Sequence, residues 1–338
     1  MTPRGIKKNR PSSQDVASLA GVSRATVSAY INKTRFVSEE LGERIQRAVR
    51  ELNYIPDPAA RALKIRDTKT IGLIIPVLSR FFTPMMKAIN EIAHQNKYGF
   101  LLCSSEEDPE REREELEIFI AKRISGILLV PCSLKNRELL QKIQQNDVPI
   151  VQLNRKIEGI DTDIVISNNY KAAYTATEHL LKRGRRRIVL FGHDPHSLAL
   201  IDKQQGYLQA LKDYNIGEDI TIVLSQNDEK NIIDSFHAFL DSGRSFDGLV
   251  CTSQTKTSIA LAMLKERAVD IPEQVAVVGF DDTAWASLLW RPLTVISEST
   301  FRMGEVAIQL LLDRLEKRET GPAKTIVLED ELIVRETS

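Results

Sequence analysis

Arg24, Ala25, Ser28, Ala29 and Asn32 recur at helical spacing within Ser23–Asn32, which lays them along one face of a helix. An arginine there can pair with O6 and N7 of a guanine, alanines offer only methyl contacts, and hydroxyl groups reach phosphates. That chemistry needs a slim face and a companion helix to hold it in a major groove. Val16, Ala17, Leu19 and Ala20 form one apolar stripe and Val22, Val27, Tyr30 and Ile31 another, with Gly21 between them. Two helices meeting at a glycine turn make a helix-turn-helix. Ser13 is placed to cap the first helix and Ser23 the second.

A third helix is expected from Ser38 to Leu52, with Leu41, Ile45, Ala48, Val49 and Leu52 on its buried face. Pro56-Asp57-Pro58 ends it. Ala59 to Lys64 then reads as a short helix with Asp57 as its cap and Pro58 at its first position. A helix so short is marginal alone in water because nucleation is costly.

Asp15-Val16-Ala17, Ala20-Gly21-Val22-Ser23, Thr26-Val27-Ser28 and Ile31-Asn32 resemble the DNA-binding head of the LacI-type (lactose- and purine-repressor) family of bacterial transcriptional regulators. Asn32-Lys33-Thr34-Arg35-Phe36-Val37 is similar to the purine-repressor branch. The resemblance implies that Arg24, Ala25 and Ala29 read bases, while Ser23, Thr26, Ser28 and Asn32 serve the DNA backbone or caps. It also implies a hinge at Ala60, Leu63 and Lys64, in which Leu63 wedges into the minor groove and bends the duplex. An ordinary interdomain linker is the plainer alternative for that segment.

Composition agrees with a head and a body of different character. Residues 1–70 hold 14 Lys and Arg against 7 Asp and Glu, a charge of +7, so the remainder carries −7 and the whole is neutral. A basic head on an acidic body suits phosphate binding by the head alone. Cys103, Cys132 and Cys251 are odd in number and lie in or beside apolar runs, which favours free buried thiols over a disulfide framework. The N-terminus lacks a signal-peptide core and no run is long enough for a membrane helix, so a cytoplasmic protein without membrane contact is expected.

From Thr70 short apolar runs alternate with amphipathic stretches. Ile71–Ile75, Phe100–Cys103, Ile127–Val130, Ile150–Leu153, Ile188–Phe191, Ile222–Leu224, Leu249–Cys251 and Val275–Phe280 read as buried strands. Met85–His94, Arg113–Lys122, Ala172–Leu181 and Ser258–Leu264 read as helices between them. The alternation predicts an α/β body of parallel sheets covered on both faces, and the strand number predicts two doubly wound subdomains. With the all-α head this makes three regions: 12–56, a hinge and linker over 57–69, and a body over 70–338. Subdomain 1 is expected to comprise about 70–167 plus 295–321, and subdomain 2 about 168–294 plus 322–338, with Ile326 to Val334 joining the second.

Ligands of open α/β sheets bind beyond the carboxyl ends of strands, which singles out Phe82, Asn154, Ser253 and Asp281. Phe82 could equally be core, and Asp281 could cap the following helix. The resemblance extends over Ser12 to Thr337 through Ile71-Gly72-Leu73, Gly126-Ile127-Leu128-Leu129, Val277 to Asp282 and Pro292-Leu293-Thr294. It implies a body like the periplasmic sugar-binding proteins, with an effector in the cleft between subdomains. Lys203 stands ahead of Gly206-Tyr207 where the family commonly has arginine, Ser253-Gln254 replaces Asn-Asp, and Asn154 replaces an aspartate beside Arg155. These departures leave the effector open among sugars, nucleobases and related metabolites.

No nucleotide-binding glycine motif, zinc-protease motif or nucleophile elbow is present. His193 and His196 flank Asp194-Pro195, a pair better read as a surface loop than as metal ligands. Neither an enzyme, a cofactor nor a metal is expected. The leading expectation is a homodimeric regulator, a repressor on family grounds, on a near-palindromic double-stranded operator. The second is a cytoplasmic small-molecule receptor on the same body with a vestigial or non-specific head.

Overall fold

The computed structural model describes residues 11–32, 35–54, 68–193, 198–217, 220–225 and 228–338. The chain divides into two compact units, before and after the Thr68–Lys69 bond.

The first unit contains α1 (Ser13–Ala20), α2 (Arg24–Asn32) and α3 (Glu39–Glu51). Ser12, one residue earlier than expected, caps α1. Its side chain accepts from the Asp15 N–H at 3.3 Å, and the Asp15 carboxylate accepts from the Ser12 N–H at 2.7 Å. This reciprocal box satisfies two otherwise open donors, whereas Ser13 lies inside the first turn. Gly21 ends α1 in the left-handed region at φ 63°, where a side chain is costly. Val16, Ala17, Ala20, Val27, Ile45 and Ala48 form the small core.

The second unit has two six-stranded sheets. The first contains β1 (Thr70–Ile75), β2 (Gly99–Ser104), β3 (Gly126–Leu129), β4 (Ile150–Leu153), β5 (Asp163–Ser167) and β11 (Thr325–Leu328). Its order is β11-β5-β4-β3-β1-β2, all parallel. Helices α4 (Thr83–Gln95), α5 (Pro109–Ala121) and α6 (Arg137–Gln145) alternate with these strands. One face is covered by Met85, Ile89 and Ala93 of α4 with Met303, Ala307 and Ile308 of α11 (Thr300–Leu315). The other is covered by Leu116 and Phe119 of α5 and Leu140 and Ile143 of α6.

The second sheet contains β6 (Ile188–His193), β7 (Thr221–Ser225), β8 (Gly248–Cys251), β9 (Ala276–Phe280), β10 (Thr294–Ser297) and β12 (Glu331–Ile333). Its order is β12-β10-β9-β8-β6-β7, parallel except for the β10–β12 pair. Helices α7 (Asn169–Lys182) and α8 (Leu198–Asp213) cover one face through Ala173, Leu180, Tyr207 and Leu211. Helices α9 (Glu229–Asp241) and α10 (Gln254–Glu266) cover the other through Phe236, Phe239 and Leu264. Alternating side chains feed both cores: Val295 faces one and Ile296 the other, as a period of two requires.

Three strand allocations differ from expectation. Residues 294–297 hydrogen-bond to β9, so the chain leaves the second sheet after Ser297. The run from Ile326 is split: β11 pairs with β5 in the first sheet, and β12 pairs with β10 in the second. Apolar runs alone do not say which sheet edge is open to them, and here both edges are. The Asp-Ile-Val-Ile-Ser run of β5 has only three apolar residues between polar ends, too short to stand out as a buried strand. The chain therefore passes between lobes three times, at residues 168, 298–299 and 329–330.

Candidate functional sites on head and body

On the head, Ser23 Oγ accepts from the Thr26 N–H at 3.1 Å, capping α2 as expected. The Ser23 and Thr26 hydroxyls also lie 2.9 Å apart. Arg24 and Ala25 are exposed at the start of α2, with the Arg24 Nε donating to Ser13 Oγ at 3.0 Å. That bond ties the arginine to α1 through its Nε. Asn32 donates to the Ser28 carbonyl at 2.9 Å, turning back onto its own helix. Ala29 is buried at 4 % exposure, contrary to the expected outward methyl: a single methyl group is readily overtopped by longer side chains. Ala60, Leu63 and Lys64 lie outside the described residues, as do the Asp57 and Pro58 cap and His196.

On the body, Phe82, Asn154, Lys203, Ser253 and Asp281 all line one cavity of about 210 Å³ between the lobes. A second cavity of about 370 Å³ adjoins it, sharing Asn154, Arg155 and Asn169. Strand ends position these groups. Asn154 follows β4 in the left-handed region at φ 58° and Asp281 follows β9 at φ 73°. Phe82 immediately precedes α4, packs edge-on to Phe81 with centroids 4.9 Å apart, and is 4 % exposed. It is both core and cavity wall.

Ser253 caps α10, its Oγ accepting from the Lys256 N–H at 3.4 Å. Asp281 supplies a second acceptor there, its carboxylate taking the Gln254 N–H at 3.2 Å. The aspartate thus caps α10, which precedes it in the chain, rather than a helix that follows it. Burial and then the nearby Glu298 charge push Asp281 up to about 7, against the opposing pull of Lys203.

Lys203 donates to Glu298 Oε1 at 2.9 Å and to the Thr252 carbonyl at 3.4 Å, and stands 4.0 Å from the Phe280 ring centroid. Glu298 also lines the cavity, although no motif or periodicity marks it in the sequence. The strand-end rule would have found it had β10 been read as a strand. Arg155, the neighbour of Asn154, also lines the cavity. It makes two parallel bonds of 2.8 Å to the Glu107 carboxylate, the fork geometry that lysine cannot reproduce. Lys256, also on the lining, is fully buried and burial pushes its ammonium down to about 8.

Among the described residues no group of three or more His, Cys, Asp and Glu side chains could hold a metal ion, and no helix is long and apolar enough to cross a membrane. The three cysteines are free, with burial pushing each thiol up to about 12.

A helix-turn-helix unit and a two-lobed body with a polar cleft define a DNA-binding regulator that carries its own small-molecule-binding module. Residues 13–57 match the model for bacterial regulatory proteins of the lacI family, and residues 68–333 match that for periplasmic binding proteins and the sugar-binding domain of the LacI family. The chain belongs to the LacI family of bacterial transcriptional regulators.

Similar proteins include the HTH-type transcriptional regulator RegA of Clostridium saccharobutylicum, 33 % identical over 329 residues, covering 96 % of this chain and 98 % of that one. The HTH-type transcriptional repressor PurR of Actinobacillus pleuropneumoniae serotype 3 (strain JL03) is 31 % identical over 327 residues, covering 95 % and 96 %. A solved complex of the transcriptional regulator CelR with cellobiose matches with a TM-score of 0.72 at 26 % identity, over 97 % of this chain and 100 % of that one. The lac repressor dimer bound to operator and an anti-inducer has the same fold, with a TM-score of 0.86 at 22 % identity, over 97 % and 99 %. With an intact family head, the receptor reading is not favoured.

Proposed function

We propose that this regulator represses transcription as a homodimer on a near-palindromic operator, and that a small molecule closing on the cleft sets its grip on DNA. The observation that carries the effector half is the convergence of five strand-end and helix residues, Phe82, Asn154, Lys203, Ser253 and Asp281, on one interlobe cavity. A phenylalanine wall beside convergent amide, hydroxyl and carboxylate groups suits a sugar-like or nucleobase-like ligand. One similar regulator, CelR, is solved in complex with cellobiose.

On DNA, Arg24 reads a guanine and Ala25 offers a methyl contact, while Ser23, Thr26, Ser28 and Asn32 serve phosphates or hold the helix. Ala29 keeps a role at the groove only if binding uncovers it. Leu63, with Ala60 and Lys64, supplies the minor-groove wedge that the family resemblance implies. Two-fold symmetry of the protein would be mirrored in the operator, and a coupling of about 1–3 kcal/mol between cleft and DNA is typical of allosteric proteins.

The test is selection from random duplex DNA at moderate salt, with and without a panel of sugars and purines. An enriched near-palindrome whose yield shifts with one compound supports the whole reading. Retention with no enriched sequence under any condition overturns it.

A further inference from the structure

We propose that the effector is a hydroxylated molecule carrying one protonated amine, such as an amino sugar, received jointly by Glu298 and Asp281; this rests on the effector-controlled reading above. The Glu298 side chain is 2 % exposed. Its Oε1 is taken by Lys203, whereas Oε2 is buried with no hydrogen-bond partner, in a residue that lines the cavity. Such an acceptor is costly to bury unless a donor arrives.

The local charge is also out of balance. Glu298 acts on both Asp281 and Asp330, and Lys203 is the one cation that acts on both aspartates. Both carboxylate oxygens of Asp330 are likewise buried, with the Ser167 hydroxyl beside them. The other cations of the cleft are engaged elsewhere. Arg155 is locked to Glu107, and Lys256 is not among the charges that shift either aspartate. Glu329, which also acts on Asp330, is held 2.8 Å from Lys171.

Three carboxylates therefore share one ammonium, an arrangement of net charge −2 when all are ionised. The cluster answers by holding protons: burial, then Glu298, pushes both Asp281 and Asp330 up to about 7. A ligand ammonium replaces those protons. It brings a full positive charge and three donors, which fit the open Glu298 oxygen and the Asp281 carboxylate. A neutral hydroxyl brings the hydrogen bond without the charge.

The experiment is calorimetric titration of the full chain with D-glucosamine and D-galactosamine, each beside its N-acetyl derivative and the parent hexose, at about pH 7.5 and about pH 5.5, spanning the shifted carboxylates. At least one amine should bind about tenfold more tightly than its N-acetyl and hydroxyl counterparts. Binding should release protons, seen as heats that depend on the buffer, and the preference should shrink at the lower pH. Glu298→Gln should erase the preference, and Asp330→Asn, which leaves the cavity wall intact, should weaken it. Equal or tighter binding of a neutral counterpart overturns the proposal. So does failure of both amines to bind while the DNA selection succeeds and a neutral panel member shifts it. Failure of that selection itself would instead remove the reading on which the proposal rests.

Discussion

Lys203 and Glu298 meet at 2.9 Å across the start of one interlobe crossing, the lysine on α8 and the glutamate just after β10. Both side chains are nearly inaccessible, at 8 % and 2 % exposure. The lysine holds together carboxylates that would otherwise repel one another where the lobes are joined.

Lys203→Met should therefore cost stability out of proportion to one lost contact. Removing one partner of a buried pair leaves an uncompensated charge, a loss of about 3–5 kcal/mol. Urea denaturation at neutral pH measures it. A change below about 1 kcal/mol, the range of surface pairs, would show that the pair is solvated.

Stability of the body should fall as pH rises through the neutral range. Asp281 and Asp330 have folded values near 7, above the ordinary aspartate value of 3.8. Between those limits the folded state binds more protons than the unfolded chain, so their contribution is fully present below the unfolded value and is lost as pH passes the folded one. Melting temperatures from about pH 5 to 8 should decline for the wild type, and Asp281→Asn with Asp330→Asn should flatten the profile. An unchanged slope in the double variant would assign the effect elsewhere.

Arg24→Ala should lose preference for one base pair, at a cost of about 1–3 kcal/mol there. Binding to operator variants differing at single positions resolves it. An equal loss on every sequence would mean that Arg24 touches only phosphate.

Gly206→Ala should push α7 and α8 apart. A Cβ at Gly206 would lie 2.0 Å from the Tyr170 carbonyl oxygen and 3.0 Å from the Tyr174 nitrogen, both backbone atoms. Overpacking of this kind costs about 1–3 kcal/mol. Because α8 carries Lys203, thermal melts and ligand titration should both be affected. Normal ligand affinity in a destabilised variant would show that the lysine is held independently of the helix spacing.

The helices of the head and most strands of the body were legible because they carry strong period and cap signals, and the strand-end rule brought Phe82, Asn154, Ser253 and Asp281 to one place. What the sequence concealed has physical causes. Glu298 and Asp330 sit on short crossings with no periodicity, and their importance comes from neighbours far along the chain. β5 and β11 were missed or misassigned because a lone short strand does not name its partner. Ser12 outranked Ser13 as a cap because only Ser12 pairs reciprocally with Asp15.

Both lobes are finished by one short stretch. β11 completes the first sheet and β12 the second, and both lie within residues 325–333. Until that stretch has been made, each lobe lacks a strand, and a chain cut ahead of it would lose a strand from both lobes at once.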